Sequence, residues 1–394
     1  MPGDVAVAVQ FRLVLIARQI TKQSVVRVCR QWNDFATPFL YEWVLIQSEL
    51  GMTNLARSIA NAANRDLGSL MIRLDVFISD PPRMRGYWMT SQTFKFMPNL
   101  LTLNLVDAYG IRLDPEYYEL IPVSLQHFSW KYSNSTDSLA QEHWISMLSH
   151  LSNLKSFNRS PSLVPPLIPP PSDNVDLRAR FATCPRWTSL EELVLLNDNQ
   201  RKFIAEFPPG HFPNLQTLHL TLRGETLLEH RIFLAAHARS LRRIHLTLFS
   251  DQFTPWSALI PDYLHQLSDC CPKLKELDWT FNHTSLKTFG KLSTAEAASP
   301  SPSFPSLGIT VLGLECATES LTIEVREALF QAAWSWLGRT ELPSLRRLRF
   351  LSEFNIVKLK ESDPSGLESF IAKCISLNVR VEDHLEREVS TYLN

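Results

Sequence analysis

The stretch that decides the fold is residues 212–222, FPNLQTLHLTL. Pro213 and Asn214 make a turn. Leu215, Leu218 and Leu220 then fall at the spacing of a strand whose alternate side chains are buried. The cadence recurs at Leu100 with Leu103 and Leu105, Leu125 with Phe128 and Trp130, and Leu190 with Leu193 and Leu195. It returns at Leu241 with Ile244 and Leu246, Leu274 with Leu277 and Trp279, Ile309 with Leu312 and Leu314, and Leu345 with Leu348 and Phe350. A weaker copy has Leu154 and Phe157 but Arg159 at the third apolar place. The Pro or Ser, Asn or Ser lead-in before most of these leucines separates the pattern from chance in a leucine-rich chain.

From one middle apolar residue to the next the steps run between 25 and 36 residues. A repeat of that length buries its apolar face only against its neighbours, which is the organisation of a solenoid. The cadence resembles a leucine-rich repeat in its irregular form. The Asn that follows the last Leu in the strict repeat is missing, with Ala108, Arg223 and Phe249 near its place. The expected fold is α/β: a curved parallel sheet with outer helices, preceded by a small all-helical module.

Lysine and arginine balance aspartate and glutamate, for a net charge of -1 over 394 residues. No basic field for nucleic acid follows. The six cysteines show no CxxC and no metal-ligand spacing, so they read as reduced, mostly buried thiols of an intracellular protein. In the apolar opening, Asp4 precedes the run, Arg12 interrupts it and no small-residue cleavage site follows, so no signal peptide is expected. No stretch reaches the roughly 20 apolar residues of a membrane helix. The expected setting is the cytoplasm or the nucleus.

Residues 8–20 read as a helix with Val9, Leu13, Ile16 and Ile20 on one side. A second helix follows, capped by Thr21, with Val25, Cys29, Trp32 and Ala36 on its apolar face and Pro38 ending it. On this stripe Cys29 reads as a packed core thiol. Residues 53–66 read as a further helix and residues 70–78 as a strand. Helical returns are expected at 115–121, 138–151, 226–238, 257–271, 323–337 and 365–375, and a last strand at 377–381. Two proline-rich inserts, 160–174 and 299–306, read as surface loops, with an SH3- or WW-type ligand, or for the second a phosphorylated Ser-Pro site, as the functional alternative.

Residues 25–44, VVRVCRQWNDFATPFLYEWV, resemble the second half of an F-box, through Val28-Cys29-Arg30-Gln31-Trp32 and Ala36-Thr37-Pro38-Phe39-Leu40-Tyr41. The family opens with Leu-Pro and an acidic residue, where this chain has Pro2 and Asp4. The resemblance implies residues 1–48 as an F-box-like helical module, 49–69 as a connector and 70–394 as irregular repeats. It implies a non-catalytic substrate receptor of an SCF-type cullin-RING ubiquitin ligase, binding the Skp adaptor and through it cullin and RING subunits. By motif position, Val25, Val28, Cys29, Trp32, Pro38 and Leu40 form or support the adaptor surface, or the module's own core. The competing expectation is a leucine-rich scaffold in which the box only caps the solenoid.

Aligning the repeats places two columns of side chains on the face opposite the core. One reads Thr102, His127, Ser156, Glu192, Thr217, Arg243, Glu276, Val311, Arg347. The other reads Asn104, Ser129, Asn158, Val194, His219, His245, Asp278, Gly313, Arg349. His219, His245 and Asp278 stand on successive rungs about 4.8 Å apart, flanked by Arg243 and Glu276. Two His and a carboxylate suit a metal or catalytic site. Contact of this face, Arg347 included, with an unknown protein substrate is the expected functional role, and a wet surface the bland one. No phosphate loop, GxSxG or HExxH is present. Trp334 and Trp336 read as helix packing rather than a cofactor box, and no cofactor is expected.

Overall fold

The structure is a computed structural model describing residues 20–21, 24, 28–60, 67–77, 91–106, 120–132, 149–161, 186–195, 209–222, 227–248, 256–281, 308–316, 344–362 and 364–389. The described residues form two compact units, one of residues 20–195 and 209–214, the other of 215–389. Among the described residues twelve strands follow the order of the chain, six in each unit. Within each unit every strand pairs parallel with the next, an α/β solenoid-like arrangement.

In the first unit helix α1 (Arg30–Glu42) runs directly into β1 (Trp43–Ile46), which is followed by α2 (Glu49–Ala60). β2 (Arg73–Phe77), β3 (Thr102–Val106), β4 (His127–Tyr132), β5 (Ser156–Pro161) and β6 (Glu192–Leu195) complete its ladder. The ladder thus begins inside the stretch read as a helical module. The cause is alternation: Val44 and Ile46 point into the core, as Leu74 and Val76 do on the next rung.

The second unit holds β7 (Thr217–Leu222), α3 (Leu227–His237), β8 (Arg243–Leu248), α4 (Trp256–Cys270), β9 (Glu276–Phe281) and β10 (Val311–Cys316). β11 (Arg347–Phe350), α5 (Glu353–Ser362), α6 (Pro364–Ser376) and β12 (Arg380–Glu382) follow. Helices α3, α4 and α6 match the expected returns. The expected strand at 377–381 lies later, at β12, because Leu377 and Asn378 form a turn, with Asn378 at φ 57°. Among the other expected elements, the returns at 115–121, 138–151 and 323–337, the two inserts and the 334–336 tryptophans fall largely or wholly outside the described residues.

The recurring Leu of each repeat is buried in a turn. The N–H of Leu100 reaches the Met97 carbonyl at 3.1 Å, and that of Leu125 reaches Pro122 at 3.1 Å. In five repeats the polar residue just before the Leu binds the preceding repeat. Asn99 Nδ2 donates to the Ser69 carbonyl at 2.8 Å, Asn153 Nδ2 to Val123 at 2.9 Å and Asn214 Nδ2 to Thr188 at 2.8 Å. The hydroxyls of Ser124 and Ser240 do the same toward Pro98 and Leu215, at 2.8 and 2.7 Å. The lead-in therefore satisfies carbonyls that the sheet itself leaves open.

α1 departs from its expected bounds at both ends. Ile20, Thr21 and Ser24 are helical, and Ser24 Oγ donates back to the Ile20 carbonyl at 2.9 Å. Cys29 is extended (φ -161°, ψ 173°), so helix α1 starts one residue later. Pro38 lies inside α1 rather than ending it. A proline there removes the N–H that Asp34 would receive in a regular helix.

Candidate functional site

Two surfaces stand out: one face of α1 and the outward face of the second unit's sheet. α1 has little local reason to persist. Its N-cap, Cys29, makes no side-chain cap, a proline interrupts its bonding, and its buried residues are only Ala36 and Thr37. Trp32, Phe35 and Phe39 stand at helical spacing with 50%, 67% and 52% of their surface exposed, and the Phe35 and Phe39 rings lie 5.8 Å apart. Val28 just before the helix is exposed as well. Three large apolar side chains on one turn-to-turn stripe form an exposed apolar face.

The structure distributes the expected adaptor residues unevenly. Val28, Trp32 and Pro38 are exposed, Leu40 is half-buried, and Val25 lies outside the described residues. Cys29 is exposed and outside the helix, which corrects its reading as a core thiol: the extended backbone at 29 takes it off the helical stripe. Phe35 was missed, because the reading followed Trp32 to Ala36 and not the i, i+3, i+7 stripe through Phe35 and Phe39.

On the sheet, both columns hold in register. Thr217, Arg243, Glu276, Val311 and Arg347 are successive partners, as are His219, His245, Asp278, Gly313 and Arg349. β12 extends the columns with Arg380 and Glu382. The face is not merely wet. Asp278, Arg349 and Glu382 are buried on it. Arg243 donates to Asp278 Oδ2 from Nε at 2.7 Å and pairs through Nη2 at 2.6 Å. Burial pushes the Asp278 carboxyl up, but His245 and Arg243 outweigh it and hold it below the usual carboxylate range. Oδ1 of Asp278 has no hydrogen-bond partner among the described residues. It rests over Gly313, where an added Cβ would collide with it.

His219 and His245 stack with ring centroids 5.0 Å apart at 18°. His245 Nδ1 lies 3.8 Å from Asp278 Oδ2, and Nε2 lies 2.8 Å from Thr280 Oγ1. Thr280 donates its hydroxyl proton to Glu315 Oε2 at 3.0 Å. Its oxygen therefore accepts from His245, and the imidazole is not set to deprotonate that hydroxyl. The imidazoles face each other rather than one shared point, and among the described residues no group of three or more His, Cys, Asp or Glu is arranged to hold a metal ion. Cys271 and Cys374 are free and buried; burial pushes the Cys374 thiol up to about 12 and the Cys271 thiol higher, which keeps both protonated.

At the end of the columns Glu382 is shared by three guanidiniums: Arg349 at 3.3 Å, Arg380 at 3.6 Å and Arg347 at 3.9 Å. Glu386 reaches Arg349 at 3.2 Å, and Glu276 lies 3.7 Å from Arg243 and 3.9 Å from Arg349. The first unit has a parallel cluster, in which buried Asp75 accepts from Trp43 Nε1, Asn104 Nδ2 and Arg73 Nε, the last at 2.8 Å. Arg73 also lies 4.5 Å from the Trp43 ring centroid. Sequence reasoning missed Asp75, Arg380 and Glu382. The signal was present: Leu74 pairs with Leu103 and Val381 with Leu348, at separations of 29 and 33 residues that fit the repeat.

No helix among the described residues is long and apolar enough to cross a membrane. Compared with known proteins, the chain matches no family model and no curated protein.

Proposed function

We propose that this chain is the substrate-recognition subunit of an SCF-type cullin-RING ubiquitin ligase. In this reading the stretch 25–44 binds the Skp adaptor, and the outward sheet face holds a protein target, in the cytoplasm or the nucleus. The observation that carries the reading is the exposed stripe of Trp32, Phe35 and Phe39 on a helix with almost no core of its own. Such a helix gains stability by burying that stripe against another protein. The chain makes and breaks no bonds. It raises the effective concentration of target lysines beside a thioester that another subunit carries.

A second reading has its own support. Trp43, Val44, Leu45 and Ile46 pair with β2, so the end of the box-like stretch is the first rung of the ladder. On that reading the chain is a repeat scaffold without a ligase link, and the box remnant caps its exposed end.

Co-expression of the full chain with the Skp adaptor separates the two. The ligase reading expects stable co-elution that a Trp32→Ala, Leu40→Ala double variant abolishes while circular dichroism stays unchanged. Well-folded chain that elutes alone would leave the scaffold.

A further inference from the structure

We infer that residues 383–389, the turn after β12, are a strap over the far end of the outward sheet face, a cover that a target must displace. The inference rests on the reading of this face as the target surface. The register puts Asp278, Gly313, Arg349 and Glu382 in one outward column on β9 to β12. The open face of a solenoid sheet meets solvent by default. Yet Asp278, Arg349 and Glu382 are buried there. Arg347 makes the contrast plain: two residues earlier, on the same strand and face, its side chain is 38% exposed, against 4% for Arg349.

Part of the cover is the chain's own tail. Arg349 Nη2 lies 3.3 Å from Glu382 Oε2 on β12, and Nη1 lies 3.9 Å from Glu276 Oε2 on β9. The guanidinium therefore spans the face across β10, where Gly313 carries no side chain to block it. Glu386 Oε1 closes on the same Nη1 at 3.2 Å. The Glu386 side chain is 62% exposed, so it stands on the solvent side of a guanidinium that water hardly reaches.

The turn is built to hold that position. Asp383 Oδ1 accepts the N–H groups of Leu385 and Arg387 at 2.9 Å each, and Arg387 Nε donates to Oδ2 at 2.8 Å. The Asp383 N–H donates to the Arg387 carbonyl at 2.9 Å, and the Glu386 N–H to the Asp383 carbonyl at 3.0 Å. Glu386 thereby sits at φ 64°, a left-handed conformation that a non-glycine residue rarely adopts. Glu388 bridges antiparallel to Glu382 and Val389 is buried, so the segment is fixed at both ends, with exposed Leu385 at its tip. These hydrogen bonds lie within residues 383–387, and the ion pair of an exposed carboxylate is a weak hold on the sheet. A turn that carries its own hydrogen bonds can swing away without unpairing the strand before it.

The test is the reaction of the full chain with phenylglyoxal, which adds to guanidinium groups, followed at each arginine by tandem mass spectrometry. Arg347 is the exposed reference, and Arg349 should react about tenfold more slowly in the parent. Glu386→Gly deletes the carboxylate at a backbone angle that glycine favours. It should raise the Arg349 rate about tenfold and leave Arg347 unchanged. Should Glu386→Gly change the circular dichroism spectrum, Glu386→Asn carries the comparison. Arg349 as reactive as Arg347 in the parent, or no faster in the variant, overturns the inference. So does a loss of hydrogen-exchange protection in β12 of the variant, because the turn would then support the strand rather than cover the face. Adaptor co-elution is an independent readout. A chain that never meets the adaptor but uncovers Arg349 in the variant loses the ligase reading and keeps the strap, whereas adaptor binding with Arg349 unmoved loses the strap alone.

Discussion

Asp75 and Asp278 occupy the same place in their repeats and are both fully buried, yet only Asp75 has both oxygens bonded. A buried, half-satisfied carboxylate is costly unless its charge is well paired, and Arg243 supplies that pairing. Gly313 on the next rung supplies the room. A Gly313→Ala variant would drive Cβ into Asp278 Oδ1 and to 2.8 Å from Leu351 Cδ2. The expected loss is about 1–3 kcal/mol of stability. It is read as a lower urea midpoint at unchanged slope, and a variant as stable as the parent would show that Asp278 can move aside freely. The same carboxylate makes the fold acid-sensitive. Asp278 is held below its ordinary value, and so is Asp383, where burial pushes up but the Arg387 N–H and guanidinium and the Leu385 N–H outweigh it. For a carboxyl lowered in the folded state, the stabilisation is complete above the unfolded value of about 3.9 and is lost as pH falls through the folded value. Urea midpoints should therefore hold from these groups down to about pH 4 and drop below it. Asp278→Asn should make that drop shallower, and an equally steep drop would remove Asp278 as a contributor.

At the scale of elements, the strands of the central repeats were legible, whereas β1 and the bounds and apolar face of α1 were not. A period of two is carried by the strand itself, so Leu218 with Leu220 or Leu277 with Trp279 fixes which residues face inward without knowledge of the neighbours. The turn before each strand repeats the same lead-in, which is why the two outward columns could be aligned rung by rung. The burial of Asp278, Arg349 and Glu382 on that face was not legible. It depends on a glycine one rung away and on a turn beyond β12, both visible only once the rungs are stacked. Helix α1 differs: Trp32, Phe35 and Phe39 are exposed, so core burial does not mark its apolar face. Val25, Cys29, Trp32 and Ala36 form one plausible stripe, and Trp32, Phe35 and Phe39 form another. Periodicity alone cannot choose between them. The extended backbone at Cys29 decides for the second.

At the scale of the molecule, each unit is assembled from contacts between successive rungs. Each rung buries its leucines against the rungs on either side, and one carbonyl of each strand's lead-in accepts two successive N–H groups of the next: Arg242 takes Lys275 and Glu276, and Lys275 takes Thr310 and Val311. A chain built this way is held together by nearest neighbours, so damage at one rung should fade with distance along the ladder. Leu277→Ala in β9 is the sharpest probe, because Leu277 is fully buried between Ile244 and Leu312. The cavity should cost about 2–5 kcal/mol. Native-state hydrogen exchange would show where that cost falls. Amides of β8, β9 and β10 should lose protection most and those of β12, three rungs away, least. A loss spread evenly from β7 to β12 would mean that the unit opens as a whole, and would replace the nearest-neighbour description with a single cooperative core.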